Sequence, residues 1–282
     1  MVIAIGQESG EDTQILARAF SGFRNAHGLV VANGSPPEIR IYDTTGTLVQ
    51  RIGRPGGGPG EFQQLTWIAA LGDSIAALDA DALRISIFDA SGRFARAVRI
   101  DAAEYGGAGW LGVVDGGFAV GITQRADPRQ LAPGGMARDS FSVVVVSATG
   151  EARANSPSIG GAWWQRIASA SDSPIAMRLL GSRWDTVQLA APSATASTTP
   201  QPVLHTEIVA GPSSEIWIAD TLVTPDGMRR WRVLDAAGRP RAVLQLPASI
   251  SLWAIGSDWL LGRAITAESV EQVQLWRLVP RP

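Results

Sequence analysis

The chain has 282 residues, 45% of them hydrophobic and 18% charged, with a formal net charge of −2. That is ample apolar material for a core, too little charge for a disordered chain, and no electrostatic footprint for nucleic acid. All 24 basic residues are arginine and there is no cysteine, which excludes Schiff-base chemistry, a P-loop lysine, disulfides, thiolate nucleophiles and cysteine-bound metals. No apolar run approaches the roughly 18 residues of a membrane helix, so no membrane span is expected. The start Met1-Val2-Ile3-Ala4-Ile5 is too short and too uncharged to read as a signal peptide.

In chain order, Val2–Gly6 reads as an outer strand that completes the last repeat unit. Gln14–Ser21 and Gly28–Asn33 are predicted to form the first inner hairpin, with His27 in its exposed turn. Ile39 and Ile41 then alternate with Arg40 and Tyr42, the period of two of a half-buried strand. Asp43-Thr44-Thr45-Gly46 supplies turn chemistry, since an Asp carboxylate accepts from N–H groups two residues on and Gly tolerates positive φ. Thr47–Ile52 returns as the outer strand. The run Gly53–Gly60 is too rich in Gly and Pro for helix or ladder; it lacks the Gly-Lys-Ser/Thr of a phosphate loop and reads as a link between repeats.

The same plan recurs. The turn returns as Asp89-Ala90-Ser91-Gly92, as the variant Ser147-Ala148-Thr149-Gly150, and as Asp235-Ala236-Ala237-Gly238, with gaps of 46, 58 and 88 residues between successive glycines. The last gap holds one unit without the marker, and one more follows Gly238. Six units of about 47 residues, each with four short strands, fit the blades of a β-propeller. The expectation is an all-β, six-bladed propeller of four-stranded antiparallel blades, one domain over residues 1–282, closed by its N-terminal strand. The later inner hairpins are predicted at 66–71 with 74–80, 110–114 with 117–123, 207–210 with 215–220, and 252–255 with 259–265. The fourth blade falls within 162–202, with strands at 175–180 and 186–190 and a low-complexity loop at 193–200. No helix is expected.

Ile39-x-Ile41-Tyr42-Asp43-x-x-Gly46, Ile52-Gly53 and Gly56-x-Gly58-Pro59-Gly60-Glu61-Phe62 resemble the NHL-type six-bladed β-propeller proteins of bacteria. Glu215-Ile216-Trp217-Ile218-Ala219-Asp220 resembles that family's inner hairpin. The resemblance implies periplasmic or secreted binding proteins, with enzymatic relatives among propeller hydrolases and lyases. Small molecules or peptides are the expected partners, and a monomer the expected state.

In a propeller, loops leading into inner strands crowd the mouth of the central channel. His205 stands there and is the candidate for acid–base work. Two histidines exclude a three-histidine metal site, and no Gly-x-Ser-x-Gly elbow is present. Asn33, Asp79 and Asp220 close the second strands of their blades. The family uses this position to tie a turn to the next strand; the alternative is an oxygen-rich Ca²⁺ site, as in propeller lactonases and phosphotriesterases. The ligand motifs of the gluconolactonase-like family are absent. Further mouth-side oxygens are Glu8, Glu11, Asp12, Glu61 and Glu104. The longest break in the repeat, Gln124–Asp139, carries Arg125, Arg129 and Arg138, whose planar donor forks suit carboxylate or phosphate. Of the 10 tryptophans, Trp217, Trp231 and Trp276 fit packing between blades. Trp67, Trp110, Trp163, Trp164 and Trp253 fall near inner strands, where an aromatic wall holds a sugar ring or an apolar ester. The expected binding set is Trp163, Trp164, Gln64, Glu61, Arg125 and Arg129. The alternative function is a Ca²⁺-dependent hydrolase of lactones, esters or phosphotriesters.

Overall fold

The computed structural model describes residues 2–8, 14–100, 107–114, 117–124, 140–147, 149, 152–155, 159–160 and 205–279. The chain opens on β1 (Ile3–Ile5). The first blade follows as β2 (Ser21–Asn25), β3 (Gly28–Gly34), β4 (Pro37–Tyr42) and β5 (Leu48–Ile52), hydrogen-bonded in that order. The second is β6 (Leu65–Leu71), β7 (Ser74–Asp79), β8 (Arg84–Phe88) and β9 (Phe94–Arg99). The third is β10 (Gly107–Val114), β11 (Gly117–Gln124), β12 (Ser140–Ser147) and β13 (Ala152–Asn155), with the short β14 (Ile159–Gly160) also pairing with β12.

The penultimate blade is β15 (His205–Ala210), β16 (Ile216–Val223), β17 (Met228–Leu234) and β18 (Pro240–Pro247). The last blade is β19 (Ile250–Ile255), β20 (Trp259–Ile265) and β21 (Glu271–Arg277), and its fourth, outer strand is β1. Ile3 stands opposite Leu275 and Ile5 opposite Val273. All pairings are antiparallel, so the fold is an all-β propeller. The described residues hold five blades. The blade expected within 162–202, with its strands at 175–180 and 186–190, lies outside them.

Why the sheets stack follows from their second strands. β3 reads Leu-Val-Val-Ala between glycine and asparagine, with no polar face. Leu29 and Val31 point into a cluster with Ile3, Ile5, Leu261, Val273 and Leu275 of the last blade. Val30 and Ala32 point the other way, against Leu65, Ile68, Ile75 and Ala77 of the second. Ala76, Leu78, Ile85 and Val98 then meet Phe118, Val120 and Val146 of the third. Trp217, Trp231 and Val233 meet Ile250, Leu252 and Leu260 between the penultimate and last blades. A sheet that is apolar on both faces is stable only between two others. Trp217, Trp231 and Trp276 all belong to that last junction, as expected of them.

The repeated turns form as the sequence requires. Asp43 Oδ1 accepts from the N–H groups of Thr45 and Thr47 at 2.8 and 3.0 Å, Asp89 from Ser91 and Arg93, and Asp235 from Ala237 and Arg239. The Thr45 and Ser91 hydroxyls, which also donate to Asp43 and Asp89, and then those N–H groups hold the first two carboxyls below the usual carboxylate range; for Asp235 the Arg239 N–H leads. Gly46, Gly92 and Gly238 take φ of +88°, +77° and +78°, the left-handed region the turn demands.

The glycine-rich loop is a folded link. Gly56 N–H donates to Phe62 O and Phe62 N–H to Arg54 O. The Glu61 carboxylate accepts from Gly58 N–H at 2.8 Å and Arg54 Nε at 2.9 Å. Arg84 of β8 reaches across to the carbonyls of Gly57 and Glu61. The loop thereby plants Phe62 between the first and second blades, fully buried and 5.9 Å from the Phe88 ring.

The first inner strand departs from expectation. The ladder starts at Ser21 rather than Gln14, because Arg18 takes a left-handed φ of +58°. Residues 14–20 cross the blade end instead, with Leu16 and Ala19 buried at the last-to-first junction. Those two side chains imitate strand alternation while serving a loop. One short 3₁₀ turn, Pro212–Ser214, joins β15 to β16.

Phe62→Ala removes a fully buried ring from the first-to-second junction. It is expected to cost about 3–5 kcal/mol, read as a lower urea midpoint at unchanged slope.

Candidate functional site

Three equivalent residues close the second strands. Asn33 is buried; its Oδ1 accepts from Ala17 N–H at 2.9 Å and its Nδ2 donates to Pro36 O at 3.0 Å. Asp79 is buried and accepts from the N–H groups of Gln63, Gln64 and Ala82, with Arg84 3.5 Å away. Asp220 is paired with Arg230 Nε at 2.5 Å and Arg232 Nε at 3.2 Å. Asn33 and Asp79 therefore fix the chain that crosses their blade ends, and Asp220 ties β16 to β17. The three sit on separate blades, and among the described residues no three His, Asp or Glu side chains gather so as to hold a metal ion.

Gln64 is exposed just before β6, its N–H held by Asp79 and its carbonyl accepting from Ala80 N–H. Glu61 is engaged within its own loop, where Gly58 N–H and the Arg54 guanidinium hold its carboxyl below the usual range. His205 opens β15, in register with Asp220. His27 is exposed in the first hairpin turn, where its N–H donates to Asn25 Oδ1. Trp163, Trp164, Arg125 and Arg129 lie outside the described residues.

Register exposes a level of the inner wall that sequence reasoning did not single out. Ser21 stands opposite Ala32, Trp67 opposite Leu78, Trp110 opposite Gly121, Glu207 opposite Ala219, and Ser251 opposite Arg263. These five are equivalent positions on the innermost strands. Two of them tie neighbouring blades alike. Ser21 Oγ lies 3.5 Å from Ile68 N of β6, and Glu207 Oε2 accepts from Leu252 N–H of β19 at 3.2 Å.

Glu207 is the chemically distinctive member. Its Oε1 lies 3.5 Å from Ser251 Oγ and 3.4 Å from Arg229 Nη1 of β17. Beside it, Arg263 Nη1 is 3.2 Å from Glu271 Oε1, and Glu271 Oε2 accepts from Ala19 N–H. Three blades thus share one polar cluster. Burial pushes the Glu207 carboxyl above the usual carboxylate range, against the opposing pull of Leu252 N–H, Arg229, Ser251 and Arg263. A carboxyl so placed keeps its proton to higher pH than an exposed one, a property wanted of an acid–base or hydrogen-bonding group. The one signal in the sequence was a Glu at the inner-strand place that Trp67 and Trp110 fill elsewhere, visible only once the blades are aligned by register.

Bulges interrupt four of the inner ladders: between Leu65 and Trp67, Ala108 and Trp110, His205 and Glu207, and Leu252 and Ala254. Bulges re-aim side chains and are frequent beside sites. The last one presents Trp253, which is half-buried with its ring lying against Gly22 of β2.

Residues 26–106 match a family model described as a 6-bladed beta-propeller. No curated protein matches the sequence. Among solved structures, a candidate exported protein from Bacteroides fragilis is similar with a TM-score of 0.50 at 9% identity, covering 99% of this chain and 95% of that one. A streptogramin B lyase is similar with a TM-score of 0.42 at 10% identity, over 99% of this chain and 87% of that one. The glutaminyl cyclase of Myxococcus xanthus is similar with a TM-score of 0.45 at 12% identity, over 99% of this chain and 96% of that one. At these identities the likeness concerns the fold alone. No helix among the described residues is long and apolar enough to cross a membrane.

Two predictions follow from the cluster and from the strand-end carboxylates. A folded-state pKa raised above the unfolded value favours folding fully below the unfolded carboxylate range, and that contribution is lost as pH rises through the raised value. Glu207→Gln, neutral at every pH, is therefore expected to gain stability relative to the parent as pH rises above the unfolded carboxylate range, measured by urea unfolding. Asp79→Ala strands three backbone donors and removes the carboxylate beside Arg84, which keeps the Gly57 and Glu61 carbonyls. A loss of about 3–5 kcal/mol is expected, equal in calcium and in EDTA.

Proposed function

We propose that this chain is a binding protein built as an NHL-type six-bladed β-propeller, closed by β1, that holds a small molecule or a peptide at the mouth of its central channel. The observation that carries the reading is Glu207, a half-buried carboxyl on an innermost strand whose hydrogen bonds and ion pair draw on two blades. Interiors reserve such partly satisfied polar groups for sites, and concave mouths between like units are where ligands bind. His205 and Gln64, each at or next to the start of an inner strand, belong to the same rim. Trp163, Trp164, Arg125 and Arg129 complete the proposed set. The whole chain acts as one domain, as a monomer, in the periplasm or outside the cell.

Hydrolysis at a central Ca²⁺ has less support. Asn33, Asp79 and Asp220 spend their oxygens on backbone N–H groups or arginines, and each does so in a different blade. An ion needs about six to eight oxygens converging on one point.

The test is a thermal-shift screen of small molecules and short peptides, with and without EDTA. A raised melting temperature that survives EDTA and falls away in Glu207→Ala and His205→Ala is the expected outcome. Turnover of an activated ester that EDTA abolishes would instead favour the calcium-dependent hydrolase.

A further inference from the structure

We propose that residues 14–20 form a latch over the last-to-first junction, which opens and recloses without unfolding of the blades, and that the ion pair of Glu271 with Arg263 holds it shut. The inference does not depend on the channel-mouth reading.

The crossing chain carries a surplus residue there. Gly34 N–H donates to Ala17 O, and Ala80 N–H donates to Gln64 O, which makes Ala17 and Gln64 equivalent. Ser21 and Trp67 are equivalent positions of the ladders that follow. Four steps separate tie from ladder in the first blade, against three in the second. The first blade absorbs the surplus at Arg18, whose φ of +58° is left-handed and strained for a residue with a Cβ. In the second blade Leu65 already pairs with Asp79. In the first, none of residues 18–20 joins the ladder, and Phe20 N–H reaches Ala32 O only at 3.4 Å.

A segment off the ladder needs other partners for its backbone. The last blade supplies them at Ala19. Glu271 Oε2 accepts from Ala19 N–H at 3.0 Å, and Arg263 Nη1 donates to Ala19 O at 3.2 Å. The same Nη1 lies 3.2 Å from Glu271 Oε1. One ion pair thus serves both backbone groups of Ala19, in place of a neighbouring strand. The first blade holds Ala17 N–H through Asn33 Oδ1 and Ile15 O through Arg40 Nη1.

Apolar anchorage is slight. Within 14–20 only Leu16 and Ala19 are buried, whereas Ile15 and Arg18 are exposed. The equivalent crossing of the second blade is fixed by the fully buried Phe62 ring and by backbone bonds from Phe62 to Arg54 and Gly56. Strain that favours release, few apolar contacts and side-chain bonds in place of a ladder are the features of a segment that opens locally. On opening, Leu16 and Ala19 leave the cluster they share with β3, β20 and β21, and that end of the last-to-first junction is uncovered.

The experiment is hydrogen exchange of the full chain, resolved to single amides by mass spectrometry with fragmentation. The Gln64 amide, tied to Asp79 as Ala17 is tied to Asn33, is the internal reference. In the parent, Ala17 and Ala19 are expected to exchange about tenfold or more faster than Gln64 after correction for intrinsic rates. In Glu271→Ala both should speed up about tenfold further, while Gln64 and the β7 amides keep their parent rates. Glu271→Gln, which keeps an acceptor for Ala19, should act in the same direction and less. Ala17 and Ala19 as slow as Gln64 in the parent overturns the latch, and that comparison needs no variant to fold. Rates in 14–20 unchanged by both variants, or raised equally in every blade, overturn the holding role of Glu271.

Discussion

Every described blade is greasy on both faces, and no such sheet is stable with a face in water. The second strands make the constraint acute: Leu29, Val30, Val31 and Ala32 are each buried, two toward one neighbour and two toward the other. Stacking is the only arrangement that satisfies them, and the fan of blades follows. The last blade takes its outer strand from the start of the chain, which also buries Ile3 and Ile5 against the first blade. Without β1, the outer edge of β21 would present unpaired N–H and carbonyl groups.

Polar residues at the blade ends do a different job. Asn33, Asp79 and Asp220 occupy one structural position with three bonding patterns: the first two hold the chain where it crosses the blade end, and the third ties β16 to β17. Asn33 binds a backbone N–H and a carbonyl, Asp79 binds three N–H groups, and Asp220 binds two arginines. The first blade adds a buried ion pair, Arg40 with Glu38 at 2.7 Å, where the second blade has Ser86 at the position of Arg40. Repeats that share a backbone thus tolerate different polar chemistry, even where a buried group such as the Ser86 hydroxyl finds no hydrogen-bond partner.

The inner wall obeys a looser rule. At one level it holds two serines, two tryptophans and a glutamate, and only the glutamate has a protonation equilibrium moved toward neutral pH. It stands where two blades meet, within reach of a third through Arg263 and Glu271. Burial together with paired charge sets this glutamate apart from the serines and tryptophans at the same level of the other described blades.

Much of the architecture was readable from residues alone. The Asp-x-x-Gly markers at 43–46, 89–92 and 235–238 locate real turns, because an Asp acceptor and a left-handed Gly act over four residues and need no help from the rest of the chain. Strand alternation located β4, β7 and β20 to within a residue or two, and the likeness of Val2–Gly6 to Arg51-Ile52-Gly53, with the last unit one strand short, assigned it to the last blade. It failed at Gln14–Ser21, where Leu16 and Ala19 are buried by a crossing loop; periodicity reports burial, not the ladder. The role of Asp79 as a tie was legible as one of two readings, but Glu207 was not legible at all. Its character depends on Leu252 and Ser251, more than forty residues away, and on two arginines from different strands. Local chemistry wrote the turns and strands into the sequence, whereas the site exists only where the stacking of blades brings distant charges together and removes their water.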